Sequence, residues 1–329
     1  MKARGAAVQG ALAVVGLVAA YVTWQREPEQ SKGEVVVLDV SKSSLEKVRY
    51  EDGMRFIELY RQGGEGGPVT WLRQGMLEAA AVAQADGGVS TPPAPPKEVR
   101  GNERAEKLYE RFAPLRAARA FGALPPERKK EVGLAESKRR LEVTAAGVTR
   151  SFKVSTSAMG VGTPFVEDEQ GRAFLLGGTL ISELDPSSQQ LVDRRLHAFR
   201  AAEVDAFVVK ADGKSREFVQ SGAEIPATTK VAPKETPDKP DELARNWHDR
   251  VWSRLVVTEV YGRGQLPPEG EPKASLRIEY SQRGAPKGWL EIAKGEKTAY
   301  ARSEQTANWV ALHGNLDDIL TEGKKLVSP

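Results

Sequence analysis

Three histidines, His197, His248 and His313, are the side chains of this sequence best suited to proton transfer or metal binding. They lie far apart along the chain, and no HExxH or HxH pattern places two imidazoles side by side. The sequence contains no cysteine, which excludes disulfides, thiolate metal sites and cysteine nucleophiles. His248 follows Trp247 in a predicted helix, where a surface or rim histidine is expected. The histidines therefore predict no metal site, catalytic base or cofactor.

Three short motifs match catalytic or ligand-binding patterns only in part. Ser44 and Lys47 have the spacing that lets a lysine activate a serine, but the accompanying SDN and KTG signatures are missing, which favours a solvated turn. The Gly160-Val161-Gly162 stretch lacks the third glycine and the helix of a dinucleotide loop. The acidic run 167–169 could bind a cation weakly, although a hairpin tip of solvated carboxylates is favoured. These motifs predict no catalytic residue.

Arg194, Arg195 and Trp252 are the candidates for contact with a partner. The two arginines could hold a carboxylate or an acidic patch of a partner, or could form surface salt bridges within the chain. Trp252 lies one position off the apolar stripe of a predicted helix and is therefore the tryptophan expected to be exposed. Together with the other tryptophans of the second half it could form a sugar-stacking platform, although Trp247 is expected in the core.

The charge distribution argues against nucleic-acid binding. The chain has 48 lysines and arginines against 45 acidic residues, and two of the basic residues, Lys2 and Arg4, precede the first apolar run. The remainder is almost neutral, whereas a nucleic-acid-binding surface needs an excess of cations to neutralise phosphates.

The N-terminal residues 1–24 predict a short cytoplasmic tip and a transmembrane anchor. The 19 residues from Ala6 to Trp24 carry no charge and are just long enough to cross a bilayer. The basic residues in front keep the N-terminus in the cytoplasm and send the rest of the chain outside. A cleaved signal peptide, cut after Val18-Ala19-Ala20, is the alternative, and it also exports the chain. The residues expected in the anchor are Ala6, Leu12, Val15, Leu17, Tyr21 and Trp24.

After a linker at 25–33, the hydrophobic pattern predicts an α+β fold of mostly antiparallel sheets with helices packed on one face. A first repeat, 34–200, contains a hairpin around Asp52-Gly53, a Pro-rich loop at 85–97, a helix capped by Asn102 and then a series of strands. The apolar stripe of this helix extends to Ala118, and Pro114 is expected to bend or end the helix. The second repeat, 201–329, follows the same order. It has a hairpin around Asp212-Gly213, a Pro-rich loop at 223–240, a helix and further strands.

Matching residues in the same order indicate a tandem duplication. Phe121-Gly122 before Leu124-Pro125-Pro126 matches Tyr261-Gly262 before Leu266-Pro267-Pro268, and LISEL at 180–184 matches LDDIL at 316–320. Three further pairs lie at one constant spacing: Leu141 with Leu276, Phe165 with Tyr300, and Phe174 with Trp309. In the second helix, the predicted buried stripe is Leu243, Trp247, Val251 and Leu255.

Several segments resemble an uncharacterised bacterial family of membrane-anchored proteins, often encoded beside gliding-motility-type ABC transporter components. The segments are VTWLR around Trp71, the FG-and-Pro segment at 121–126, GRAFLLGG at 171–178 and LVDRRLHAF at 191–199, together with the N-terminal span. The resemblance implies an accessory protein of a transporter-like complex, and it implies no catalytic residues. The long Pro-rich loop after Trp71 departs from the family pattern.

The sequence therefore predicts a single-pass, non-enzymatic protein of the bacterial inner membrane with an extracytoplasmic C-terminal domain. Its expected partners are the lipid bilayer and subunits of an ABC-transporter-type complex. A binding module for envelope polysaccharide or peptidoglycan is the alternative, which an exposed row of aromatic residues would favour. An envelope hydrolase ranks last, because it requires a pocket with convergent titratable groups.

Overall fold

The computed structural model describes residues 33–64, 67–77, 94–156, 163–222 and 229–328. The predicted anchor at 1–24 and most of the linker after it lie outside these ranges, as does the Gly160-Val161-Gly162 stretch. Within the ranges, no helix is both long enough and apolar enough to cross a bilayer.

The described chain forms antiparallel β-structure with few helices, as the predicted α+β class requires. The strands of the first half are β1 (Val35–Leu38), β2 (Leu45–Glu51), β3 (Arg55–Gly64), β4 (Gly67–Met76), β5 (Lys97–Arg100), β6 (Leu115–Ala123), β7 (Arg139–Ala145), β8 (Val148–Val154), β9 (Phe165–Glu167) and β10 (Arg172–Leu176). Those of the second half are β11 (Ala206–Ala211), β12 (Lys214–Ser221), β13 (Lys230–Pro233), β14 (Val257–Val260), β15 (Ala274–Gln282), β16 (Ala285–Lys294), β17 (Ala299–Ser303) and β18 (Val310–Leu312). The helices are α1 (Glu103–Glu110), α2 (Pro126–Glu131), α3 (Leu180–Glu183), α4 (Glu242–Arg254) and α5 (Asp317–Leu326).

Each half of the chain builds one sheet, and the two sheets share a strand order. The first sheet runs β1-β6-β10-β9-β8-β7-β2-β3-β4-β5, and the second runs β14-β18-β17-β16-β15-β11-β12-β13. The first sheet has two additional edge strands, β1 and β5. Without them, each sheet has eight strands, and strands at the same place in the two sheets also come at the same place along the two halves of the chain, from β2 and β11 to β10 and β18. The helices follow the same scheme, because α1 and α4 precede β6 and β14, and α3 and α5 follow β10 and β18.

Local details repeat as well. The N-cap side chains of Asn102 and Asp241 accept hydrogen bonds from backbone amides three residues ahead, at 3.1 and 2.9 Å. The β7–β8 and β15–β16 hairpins both turn through two residues with positive φ, which requires glycine at the second position, Gly147 or Gly284. These matches place the same backbone geometry at equivalent points of the two sheets.

The aromatic pairs matched by sequence are partly equivalent in space. Phe121 packs against Phe165 with ring centroids 5.4 Å apart, and the corresponding Tyr261 and Tyr300 are 6.3 Å apart. Phe174 and Trp309, by contrast, are buried in different places. Phe174 belongs to the main core, whereas Trp309 belongs to a small separate cluster with Tyr261 and Tyr300. The spacing of the chain therefore identified equivalent strands more accurately than equivalent side-chain directions.

One of the residue matches from the sequence is two positions off when the turns of the β7–β8 and β15–β16 hairpins are aligned with each other. Leu141 pairs with Phe152 across the first hairpin, and Ile278 pairs with Leu290 across the second. Leu141 therefore corresponds to Ile278, whereas the constant spacing had matched it to Leu276. Both residues of the second half are buried on the core side of β15, so a shift of two keeps the face of the strand unchanged.

Most buried apolar residues of both halves form one continuous core, and the small cluster around Trp309 is separate from it. Alternate residues of the central strands face it, for example Val48 and Tyr50 on β2, while Arg49 faces away and pairs with Glu58 at 2.7 Å. Helix α1 packs on β3 and β4, and α5 packs on β11, β15 and α4. The two halves therefore stabilise each other through shared burial of apolar surface.

Two local predictions were wrong. The apolar stripe after Asn102 was followed to Ala118, with Pro114 expected to bend or end the helix. The helix α1 does end before Pro114, which has no backbone N–H to continue it, but the later stripe residues Leu115 and Ala118 lie in strand β6. The second Pro-rich segment, predicted as a loop, contributes β13. Pro233 is tolerated there because β13 is an edge strand, where a missing N–H leaves no ladder bond unmade.

Candidate functional site

A cleft of about 430 Å³ opens where the segment between the two sheets passes helix α4. It brings Arg194, Arg195 and Trp252 together, the three residues selected from the sequence as candidates for partner contact. Arg200 is a third arginine in the lining, and none of the described residues that line the cleft is a carboxylate. The apolar part of the wall consists of Leu196, Phe199, Val251, Trp252, Leu255 and Leu290.

Arg195 is held in place by a buried carboxylate. Its guanidinium donates to both oxygens of Asp193, at 3.0 and 2.9 Å, and Gln305 of the second half donates to Asp193 at 2.7 Å. The Asp193 side chain is only 3% exposed, whereas that of Arg195 is 61% exposed. The bidentate pair therefore fixes the direction of a guanidinium that still faces solvent.

The Asp193 carboxyl makes the stability of this junction depend on pH. Burial alone would raise its pKa, but hydrogen bonds from the Arg195 side chain and backbone and from Gln305 outweigh burial and hold the pKa below its usual range. A depressed pKa contributes stability that is fully present above the unfolded pKa of about 3.9 and is lost as the pH falls through the lower folded pKa.

We therefore expect the free energy of unfolding to fall more steeply below about pH 4 in the wild-type protein than in Asp193→Asn, because the amide does not titrate. Urea unfolding followed by circular dichroism between pH 2 and 6 measures this difference. The same pH dependence in both proteins would show that Asp193 does not contribute it.

His197 joins the cleft to the second sheet. Its Nδ1 lies 3.0 Å from Oε1 of Glu304, and Oε2 of Glu304 accepts a hydrogen bond from the Trp289 amide at 2.9 Å. The His197 side chain is only 6% exposed and lies among the rings of Phe199, Trp252 and Tyr280, with centroids 4.8 to 5.0 Å away. Its ring is therefore committed to packing and to one carboxylate of the protein itself.

His248 is buried behind the cleft, and the prediction of a surface or rim histidine was wrong. Its ring stacks on Phe207 at 4.3 Å, and Nε2 accepts a hydrogen bond from the Trp252 indole at 3.0 Å. Burial, with a smaller contribution from His197, lowers the pKa of His248 to about 3, so the ring is neutral at neutral pH. Since the indole N–H of Trp252 is used internally, this residue presents apolar ring surface to the cleft.

The other motifs of the sequence lie away from the cleft and are engaged within the fold. Ser44 bonds with Ser41 in a turn, as the solvated-turn interpretation expects, and the Lys47 ammonium lies 3.9 Å from Glu58. The acidic run 167–169 lies at a hairpin tip, as predicted, but its carboxylates are not freely solvated. The side chains of Glu167 and Asp168 are only 12% and 7% exposed, and the three acids form salt bridges with Lys129, Arg172 and Arg150. In the described ranges no group of histidine and acidic side chains is arranged to hold a metal ion.

The tryptophans of the second half do not form an exposed row. Trp247 and Trp309 are 0% and 2% exposed, and Trp289 lies under the Arg277 guanidinium on the outer face of the sheet, 4.7 Å from ring centre to Cζ. Of the four, only Trp252 borders the cleft. The feature expected of a polysaccharide-binding platform is therefore missing from the described part of the chain.

Sequence reasoning missed Asp193, Glu304 and Gln305 and the role of His197. Asp193 directly precedes the two arginines, and this adjacency was the one available signal. Glu304 and Gln305 follow strand β17, more than a hundred residues along the chain from their partners, and only the pairing of the two halves brings them close. No protein-family model matches this sequence, and comparison with curated proteins gives no match either.

Proposed function

We propose that this protein is a membrane-anchored, non-enzymatic binding protein of the bacterial envelope and an accessory or scaffold of an ABC-transporter-type complex. The apolar, uncharged run from Ala6 to Trp24, with Lys2 and Arg4 in front of it, supports the anchor and an extracytoplasmic location for the rest of the chain. The resemblance to membrane-anchored proteins encoded beside transporter components supports the kind of partner.

The observation that carries a binding role is the cleft at the junction of the two halves. Exposed arginines stand beside an apolar wall, and the two nearby histidines are occupied by Glu304 and by the Trp252 indole. A general base needs a lone pair that can reach a substrate proton, so histidines bonded within the protein favour binding over acid–base chemistry.

A tandem duplication supports the same role. We infer that residues 34–200 and 201–329 descend from one ancestral unit, and the common strand order of the two sheets supports this origin. The cleft lies where the two units meet, so the duplication would have created a surface that a single unit lacks. Sites between two packed units are frequent places for ligands and partners.

The proposal is tested by purifying the tagged full-length protein in mild detergent and identifying the membrane proteins that accompany it. The matched control combines Leu12→Arg with Val15→Arg. These changes put two charges into the predicted anchor. Each arginine raises the free energy of membrane insertion by about 2.5–3.5 kcal/mol if it lies near the centre of the span. Transporter subunits should accompany the wild-type protein and be lost with the control. If both forms purify alone and the protein sediments with isolated envelope polysaccharide, the accessory role is wrong and polysaccharide binding replaces it.

A further inference from the structure

The rim of the cleft carries an arginine that no other side chain engages. Arg195 is paired with Asp193, and Arg200 donates to Glu203 at 3.2 Å. In the described structure, Arg194 is exposed and forms neither a hydrogen bond nor a salt bridge. The N–H groups of an unpaired guanidinium can donate hydrogen bonds to a carboxylate of another molecule.

Charged groups of both signs lie around this rim, and most of the acidic ones are paired with cations. Burial lowers the pKa of the Lys97 ammonium, the charge of Glu259 opposes this shift, and the charge of Arg194 adds to it by a smaller amount. Glu103 interacts electrostatically with Arg195 and forms a salt bridge of its own with Lys107 at 2.6 Å. The carboxylates of Asp193 and Glu203 are already bonded to arginines of the rim, and a bound anion would therefore meet arginines rather than carboxylates at the mouth.

The interior of the cleft, in contrast, takes an apolar group. Trp252 and Phe199 meet edge to face with centroids 5.8 Å apart. The His197 ring packs against both, and the other apolar residues of the wall are aliphatic. A volume of about 430 Å³ is at the lower end of the range for ligand pockets, about 300–1,000 Å³, and is enough for one or two large side chains. A ligand that fits both parts has a buried apolar group with negative charges beside it.

We propose that this cleft binds an acidic peptide segment of a partner protein, which inserts one aromatic or branched side chain between Trp252 and Leu290 and pairs its flanking carboxylates with Arg194 and Arg195. This inference rests on the proposed function, because it supplies the recognition chemistry of the protein partner. Planar guanidinium groups pair with carboxylates in a bidentate geometry, and apolar burial adds affinity that charge alone does not give.

The test uses the purified full-length protein in detergent and a fluorescent twelve-residue peptide with one tryptophan flanked by four aspartates or glutamates. Anisotropy titrations compare it with two other peptides, one with lysines in place of the acids and one with alanine in place of the tryptophan. We expect only the first peptide to bind. Arg194→Glu and Trp252→Ala should each weaken its binding by about tenfold or more.

Arg55→Glu is the matched control, because Arg55 is exposed at the start of β3, does not line the cleft, and undergoes the same charge change. It should leave binding unchanged. The proposal is overturned if Arg55→Glu and Arg194→Glu weaken binding equally, or if the acidic peptide fails to bind while an acidic polysaccharide or phosphatidylglycerol vesicles bind. Since the titration uses purified protein and synthetic peptides, its failure would leave the co-purification of transporter subunits untouched.

Discussion

Replacing Trp247 by alanine is expected to lower the free energy of unfolding by about 3–5 kcal/mol, the usual cost of truncating a large buried aromatic side chain. The side chain is 0% exposed, and its indole donates to the Ile319 carbonyl at 2.8 Å. It joins α4 to α5, which packs so closely that a methyl group on Gly323 would lie 3.1 Å from the indole ring. Alanine would leave a cavity between the two helices and remove the hydrogen bond that joins the indole to the Ile319 carbonyl. Urea unfolding of the full-length protein measures the change.

Leu243→Ala on the same helix is the control for this experiment. Leu243 is 45% exposed, and its truncation should change the free energy of unfolding by no more than about 0.5 kcal/mol. Both substitutions remove a large apolar side chain from α4, so helix propensity changes similarly in the two variants. Comparable losses of stability in both would contradict the packing described for α4.

The same helix shows what hydrophobic periodicity can and cannot predict. The stripe Leu243, Trp247, Val251 and Leu255 correctly placed Trp247 and Val251 in the core. At the start of the helix, however, Ala244 is buried and Leu243 is exposed, and His248 is buried beside Trp247. Each residue turns a helix by about 100°, so two adjacent stripes are nearly equivalent in sequence, and the packing of α5 and β13 selects between them.

The repeated architecture was more predictable than the cleft. Turn residues, caps and strand patterns are local signals, and they placed most of the strands of both halves in the right order. Arg194, Arg195 and Trp252 were selected from residue type and position alone. Their meeting in one cleft, and the support from Asp193 and Glu304, depend on contacts between residues far apart in the chain, which no local pattern encodes.

Replacing Gly288 by alanine is expected to destabilise the junction behind the cleft by about 1–3 kcal/mol, the range for overpacking a close contact. A methyl group there would lie 2.6 Å from Glu304 Cδ and 2.6 Å from Phe199 Cε1. Glu304 cannot easily move aside, because its two oxygens are bonded to His197 and to the Trp289 amide. Phe199 is buried in the cleft wall, so the clash falls on the residues that hold the two halves together. Thermal unfolding of the full-length protein, converted to free energy at one temperature, measures the effect.

Gly63→Ala separates this clash from the general effect of adding a methyl group to a strand glycine. No atom lies within 4 Å of the position that a methyl group on Gly63 would occupy on β3. Alanine there should be neutral or slightly stabilising, because it restricts the unfolded chain more than glycine does. If Gly288→Ala is as harmless as Gly63→Ala, then Phe199 and Glu304 can move apart at little cost. The contact between the two halves would then tolerate small displacements of these side chains. Arg195 of the rim would be held in one orientation only by its salt bridge with Asp193.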